Sequence, residues 1–248
     1  MLVLLVAGLA LAGCSGGHST NDSSPLRYVA LGDSYSSGVG GGDESGACAR
    51  SDHGYPALLG RTAGIDLVRN AACSGATTDD VLSSQLGALD RRVQLVTLTI
   101  GGNDLGVTSL PSACVQLEAE QCTDAVRSSL ASLATLPDKL ARTYSAIAKA
   151  APNAKILVAG YPAFFDDDAT GSAEAAINAA TGSLDAAIEK EVATRHRAGS
   201  DIHFVAVSFG GHGVDSAEPW FVLSGSSAFH PDPAGYVRYA ATLRTAVG

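Results

Sequence analysis

The sequence predicts an α/β fold in which a parallel sheet is covered by helices on both faces. Three observations carry this. Five short apolar runs read as buried strands, helical patterns lie between them, and polar motifs built of small residues follow the first three runs. Strands alternating with helices build parallel sheets with right-handed crossovers. The carboxyl ends of such strands lie along one edge, where open α/β sheets bind ligands.

A chain of 248 residues suffices for one sizeable core. Its composition, 46% hydrophobic and 17% charged, is that of a folded protein rather than a disordered one. The formal net charge of −9, with no basic stripe, argues against nucleic acid as a partner.

The first segment, Met1 to Gly13, is apolar, of signal-peptide length and short for a bilayer span. Its ending, Leu11-Ala12-Gly13-Cys14, resembles a bacterial lipobox. By that resemblance cleavage precedes Cys14 and a lipid on its thiol anchors the protein to a membrane; the alternative is an ordinary secretory signal with a chance cysteine, and a secreted protein. Residues 14–25 then form a Gly/Ser-rich tether, and residues 26–248 the catalytic candidate domain.

The first strand, Arg27–Leu31, runs into Gly32-Asp33-Ser34-Tyr35-Ser36-Ser37-Gly38. A serine in a glycine-flanked turn after a buried strand is lifted out of the sheet. The helix start behind it offers backbone N–H groups to a developing oxyanion. Tyr55–Ala63 is the first helical pattern, and Asp66–Arg69 is the second strand, followed by Asn70-Ala71-Ala72-Cys73-Ser74-Gly75-Ala76. Thr78–Leu89 is helical, with a cap signal in Thr77-Thr78-Asp79-Asp80. The third strand, Gln94–Ile100, ends in Gly101-Gly102-Asn103-Asp104. Thr123–Ala150 is a long helical pattern that Pro137 breaks or kinks. Lys155–Gly160 is the fourth strand, and Asp166-Asp167-Asp168 behind it reads as a solvated loop, with no nearby histidine to complete a metal site. The Ala-rich amphipathic helix Ser172–Arg197, the strand Ile202–Val207 and the helix Pro233–Val247 close the chain.

With Cys14 assigned to lipid, four cysteines remain, an even number that suggests two disulfides in an exported chain. Four cysteines allow three pairings. Locality favours Cys114–Cys122, eight residues apart, with Cys48–Cys73 pinning the loops after the first two strands.

Ester cleavage needs a nucleophile, a base and oxyanion donors. Ser34 supplies the first, and the Gly75 N–H and the Asn103 amide are candidate donors. Singly, each is an ordinary turn residue. The base should be one of six histidines. His18 lies in the tether, His196 between Arg195 and Arg197, and His203 within the fifth strand. His53 follows the nucleophile turn and is placed to line a pocket. His212, after Gly210-Gly211, rivals His230, which precedes the last helix.

The blocks Gly32-Asp33-Ser34-Tyr35, Gly75, Gly101-Gly102-Asn103-Asp104 and Phe229-His230-Pro231 resemble, in order and spacing, those of the GDSL/SGNH hydrolase superfamily. The cysteine pattern and the run Ala72 to Thr77 are similar to its secreted actinobacterial esterases and lipases. The resemblance implies a three-layer α/β/α flavodoxin-like sandwich around a five-stranded parallel sheet. It implies Ser34 as nucleophile, His230 as general base, and Ser34 N–H, Gly75 N–H and Asn103 as the oxyanion hole. His212 becomes a second loop histidine near the site. Many members carry an aspartate three residues before the base, where this chain has Ser227. The expectation is that the Ser227 main-chain carbonyl orients His230, as in some of the secreted branch. Position 36 is serine, which sets the elbow apart from the Gly-x-Ser-x-Gly of α/β-hydrolases.

The expected activity is that of a serine-dependent carboxylic ester hydrolase of esterase or lipase type. It works through an acyl-enzyme, without cofactor or metal, as an exported monomer acting on small-molecule or lipid esters. The expected acyl pocket draws on residues 39–55, 107–117 and 161–165, with His212, Trp220, Phe221 and Phe229 nearby. Two rival readings are an O-deacetylase or acyltransferase of cell-envelope polysaccharide, and a non-catalytic envelope-binding lipoprotein.

Overall fold

Five strands form an all-parallel sheet in the order β2-β1-β3-β4-β5. They are β1 (Leu26–Gly32), β2 (Ile65–Asn70), β3 (Leu95–Thr99), β4 (Lys155–Ala159) and β5 (Ile202–Val205). The computed structural model describes residues 24–107, 110, 111, 114, 119–166 and 172–248. The expected signal segment 1–13, the lipidation site Cys14 and the tether up to residue 23 lie outside the described residues, as do parts of the expected 107–117 pocket loop.

Strand burial follows position in the sheet. All five residues of β3 are buried, as are the last five of β1, because helices cover both faces of the central strands. The edge strand β2 is buried only at Ile65, and its Val68 is 43% exposed. Polar residues inside the sheet are paired. The Thr97 hydroxyl lies 2.6 Å from the Tyr28 hydroxyl. Register is fixed by Tyr28 opposite Leu95 and Leu31 opposite Leu98.

The helices are α1 (Ser34–Ser37), α2 (Tyr55–Gly60), α3 (Thr78–Asp80), α4 (Gly102–Leu105), α5 (Ala119–Ala131), α6 (Leu136–Ala150), α7 (Ser172–Arg197) and α8 (Pro233–Val247). Helices α2 and α8 pack together, while α5 and α6 pack on α7. Helix α7 buries Ile177, Ala180, Leu184, Ile188 and Val192, the apolar stripe its spacing predicts.

Two elements differ from their sequence reading. The helix expected over Thr78–Leu89 is one α-turn, then a π-turn (Val81–Gln85), then a 3₁₀ turn (Leu86–Ala88). The Gln85 amide accounts for it. It bonds both main-chain groups of Gly32, accepting from N–H at 2.7 Å and donating to the carbonyl at 2.8 Å. The π-turn brings that side chain inward, a local irregularity typical of functional regions. The expected capping box at Thr77 and Asp80 is present. The long pattern Thr123–Ala150 divides at a 3₁₀ turn, Ser132–Ala134, ahead of Pro137, which sits in the first turn of α6 where its missing N–H costs nothing.

Chain order reverses between β1 and β3, so their connections leave in opposite directions and open a crevice at the carboxyl edge. Residues 32–38 and 101–104 begin at that crevice.

Candidate active site

Gly32 ends β1 at φ +116°, and a Cβ there would lie 2.2 Å from the Thr99 carbonyl oxygen. Only glycine lets β1 turn this close to β3. Asp33 then caps α1. Its Oδ1 accepts from the Tyr35 N–H at 3.1 Å and the Thr99 hydroxyl at 2.6 Å, and its Oδ2 from the Tyr161 hydroxyl. Asp33 is fully buried, and that burial pushes its carboxyl up to about 6 against the four hydrogen bonds that favour the charged form. Ser34, the first residue of α1, therefore stands on a turn fixed from below.

His230 reaches Ser34 from the loop ahead of α8. Its Nε2 lies 2.9 Å from Ser34 Oγ and its Nδ1 lies 3.2 Å from the Ser227 carbonyl oxygen. A carbonyl only accepts, so Nδ1 carries the proton. Nε2 is then the unprotonated nitrogen facing the serine hydroxyl, the tautomer a general base needs. Burial holds the His230 pKa below its ordinary value, partly offset by the main-chain groups of Ser227 and Ala228 and the charge of Glu44. The neutral ring is thereby favoured. Asp232, two residues on, accepts from the Gly235 N–H at 2.8 Å and caps α8.

The remaining blocks meet at the same edge. The Cys73 N–H donates to the Gly32 carbonyl at 3.0 Å, joining the Gly75 turn to the elbow. The Asn103 amide donates to the Ala76 carbonyl at 2.9 Å, joining the third loop to that turn. Gly75 has φ +80° and open space where a Cβ would stand. Asp104, beside Asn103, accepts from the Thr78 N–H and hydroxyl and from Lys139 Nζ at 3.0 Å, which fixes the start of α4.

A sequence model described as the GDSL-like Lipase/Acylhydrolase family matches residues 30–238, which span all four blocks. The chain belongs to this family. Lipase 1 of Streptomyces coelicolor is 38% identical over 246 residues, covering 94% of this chain and 91% of that protein. The crystal structure of an extracellular lipase from Streptomyces rimosus superposes with a TM-score of 0.82 at 35% identity, over 89% of this chain and 99% of that one. Phospholipase A1 from Streptomyces albidoflavus NA297 matches with a TM-score of 0.82 at 35% identity, over 90% and 99%. This GDSL-like protein is a carboxylic ester hydrolase with the three-layer fold of those lipases.

Both disulfides expected for the hydrolase, Cys48–Cys73 and Cys114–Cys122, are formed. The first ties the 43–54 loop to the Gly75 turn, where the Ser74 N–H also donates to the Cys48 carbonyl at 3.1 Å. His18 lies outside the described residues, and His53, His203 and His212 bond to groups other than Ser34. His53 Nδ1 lies 3.0 Å from the Gly41 carbonyl, and His203 pairs with Asp201. His212 stacks on Trp220 with ring centroids 3.7 Å apart and bonds the Glu218 carbonyl. Phe229 is buried, its ring edge-on to Phe164, so it packs in the core. A cavity of about 610 Å³ lies between α7 and the loops after β4 and β5, walled by Tyr161, Phe165, Asp185 and Phe209 among others. His212, Trp220 and Phe229 do not line it. Among the described residues no three His, Cys, Asp or Glu side chains gather as metal ligands.

Three residues that buttress the site, Asp33, Tyr35 and Gln85, had no role in the sequence reading, and Tyr161 stood there only within the expected pocket loop 161–165. Asp33 and Tyr35 lay inside the quoted motif, so adjacency to Ser34 was a usable signal. Nothing local marked Gln85 or pointed Tyr161 toward Asp33.

Proposed function

We propose that the chain hydrolyses lipid carboxylic esters through an acyl-enzyme on Ser34. The observation that carries this is the pair of contacts made by His230, 2.9 Å to Ser34 Oγ and 3.2 Å to the Ser227 carbonyl. Ser34 Oγ attacks the ester carbonyl carbon while His230 Nε2 takes its proton. The tetrahedral oxyanion is met by the Ser34 and Gly75 N–H groups and by Asn103. Collapse breaks the bond to the alcohol oxygen, which leaves with the proton from His230. Water then attacks the acyl-enzyme by the same route and releases the acid.

The Ser227 carbonyl holds the imidazole and stabilises the imidazolium as a dipole rather than as a full charge. The lipid class of substrate rests on relatives named as lipases and a phospholipase A1. Export fits the two disulfides and the extracellular relative from Streptomyces rimosus. The lipobox at Cys14 adds a membrane anchor, which would hold the site close to lipid substrate.

A fluorophosphonate probe tests the chemistry, and a panel of p-nitrophenyl esters of rising acyl length tests the class. Stoichiometric labelling that is lost in Ser34→Ala, with activity on butyryl and longer esters, is the expected result. An unlabelled oxidised protein points to envelope binding instead. Hydrolysis confined to acetyl esters points to a deacetylase.

A further inference from the structure

Phe229 has φ +65°, one of two non-glycine residues at positive φ among the described residues. For a bulky side chain the left-handed region is an outlier that surrounding contacts must hold, and such strain gathers at active sites. Phe229 is the residue immediately before His230.

The contacts that hold it are on the page. Its N–H donates to the Val222 carbonyl at 2.8 Å, and the Val222 N–H donates back to the His230 carbonyl at 2.9 Å. Its ring packs edge-on against Phe164. Its carbonyl oxygen accepts from the Tyr35 hydroxyl at 2.9 Å. Tyr35 is buried, with its ring 5.2 Å from that of Tyr161 and 5.4 Å from that of His230. It follows Ser34 directly in α1.

We propose that Tyr35 is a positioning residue that indexes the base loop to the nucleophile helix through the Phe229 carbonyl. The Phe229–His230 peptide is planar, so fixing its oxygen fixes the plane from which the imidazole projects. Ser34 and Tyr35 are neighbours on one helix, and Phe229 and His230 are neighbours on one loop. The two hydrogen bonds, Tyr35 to Phe229 and His230 to Ser34, close a small ring across 196 residues of chain. With both bonds made, the separation of base and nucleophile is set by two short covalent spans instead of by the whole fold. The Tyr35 hydroxyl suits this task because burial raises its pKa well above the ordinary value and keeps it a donor.

This rests on His230 being the base, so Tyr35→Phe and His230→Ala are measured together. The expected result for Tyr35→Phe is a fall in kcat of about 10- to 100-fold, the scale of a misplacement of about 1 Å, with KM within about twofold. The acid limb of kcat/KM should also move up, since a loosened loop exposes His230 and relieves the burial that lowers its pKa. The groups facing that ring are Ser34 Oγ, the Ser227 and Ala228 main chain, Glu44 and the Tyr35 ring, and the substitution removes none of them chemically. A purely structural role would lower the melting temperature and leave the acid limb where it was, which overturns the proposal. Activity retained by His230→Ala removes both this inference and the reading beneath it. Inactive His230→Ala beside a normal Tyr35→Phe removes this inference alone. Should Tyr35→Phe not fold, amide hydrogen exchange of the wild type decides. The Phe229 and His230 amides should exchange as slowly as those of α1, and fast exchange at both overturns the proposal.

Discussion

Asp33→Asn should make the protein less stable in mild acid and more stable above neutrality. Asp33 is fully buried beneath Ser34, and burial pushes its carboxyl from 3.8 up to about 6. Between those values the folded protein holds a proton that the unfolded chain has released. The unfolded state binds fewer protons, so stability falls as pH rises through the window and the contribution is gone above about 6. A shift of about two pH units corresponds to ~3 kcal/mol. Asparagine has the same shape and no charge to desolvate, so it is free of this loss. It does replace one oxygen with an NH₂ group, and the Tyr161 hydroxyl that donates to Oδ2 loses its acceptor, at a cost of ~1 kcal/mol. The variant should therefore be ~1 kcal/mol less stable near pH 4 and ~2 kcal/mol more stable near pH 8, with the curves crossing between. Urea unfolding of both oxidised proteins, followed through the fluorescence of the single tryptophan, measures this. Asp185, whose carboxyl burial raises to about 7, adds its own slope to each curve, so the difference between them is the readout. A difference that stays flat from pH 4 to pH 8 refutes the argument. It would mean that the hydrogen bonds to Asp33 offset its desolvation.

Four further outcomes are expected. Ser227→Ala should keep kcat within about twofold because only its carbonyl meets His230, and a much larger loss would move the role to its side chain. Gly40→Ala should lower kcat about tenfold or more, read with soluble esters. At φ +97° its Cβ would lie 2.2 Å from the Pro231 carbonyl and push the base loop, and normal activity would count against that contact. Replacing Cys48 and Cys73 together by serine should cost ~2–4 kcal/mol in urea unfolding and lower kcat more than it changes KM, since the Gly75 turn is freed. The acid limb of kcat/KM should fall below the ordinary histidine value of 6.5, because burial lowers the His230 pKa and the neutral base persists into mild acid. A limb at that value would mean an exposed ring, and one above it would mean that Glu44 and the main-chain acceptors outweigh burial.

The carboxyl edge of the sheet was legible because periodicity and alternation suffice to place it. Parallel strands put the ends of β1, β2 and β3 side by side whatever the helices between them do. The turn residues 32–38, 70–76 and 101–104 were therefore brought together before any contact was known. Helices α7 and α8 begin and end where the sequence places them, α8 with an Asp cap and a proline in the first turn. The segment after Thr77 was read as one helix because its apolar spacing is helical. What redirects it is a bond from Gln85 to Gly32, 53 residues away, which no local pattern encodes.

The same distinction separates what was read in the site from what was not. Ser34 and His230, the proposed nucleophile and base, were singled out through the motifs around them, and the fold brings them within 2.9 Å although 196 residues part them. The groups that hold them are aromatic and acidic side chains whose partners are chosen only by packing. Tyr161 reaches Asp33 across 128 residues and Tyr35 reaches Phe229 across 194. In sequence each tyrosine is an apolar residue suited to a core, and all of Tyr28, Tyr35, Tyr55, Tyr144, Tyr236 and Tyr239 are indeed buried. Buried hydroxyls usually find a partner, Tyr144 being an exception, and around this site the partners are the elbow and the loop ahead of α8. Tyr35 bonds the base loop at Phe229, Tyr161 bonds the elbow at Asp33, and Tyr236 bonds the Val39 carbonyl just after α1. The core thus secures the proposed site through hydroxyls while its rings supply the burial. Changing one of these tyrosines to phenylalanine removes the positioning and leaves the packing, which is why kinetics and stability should part company there.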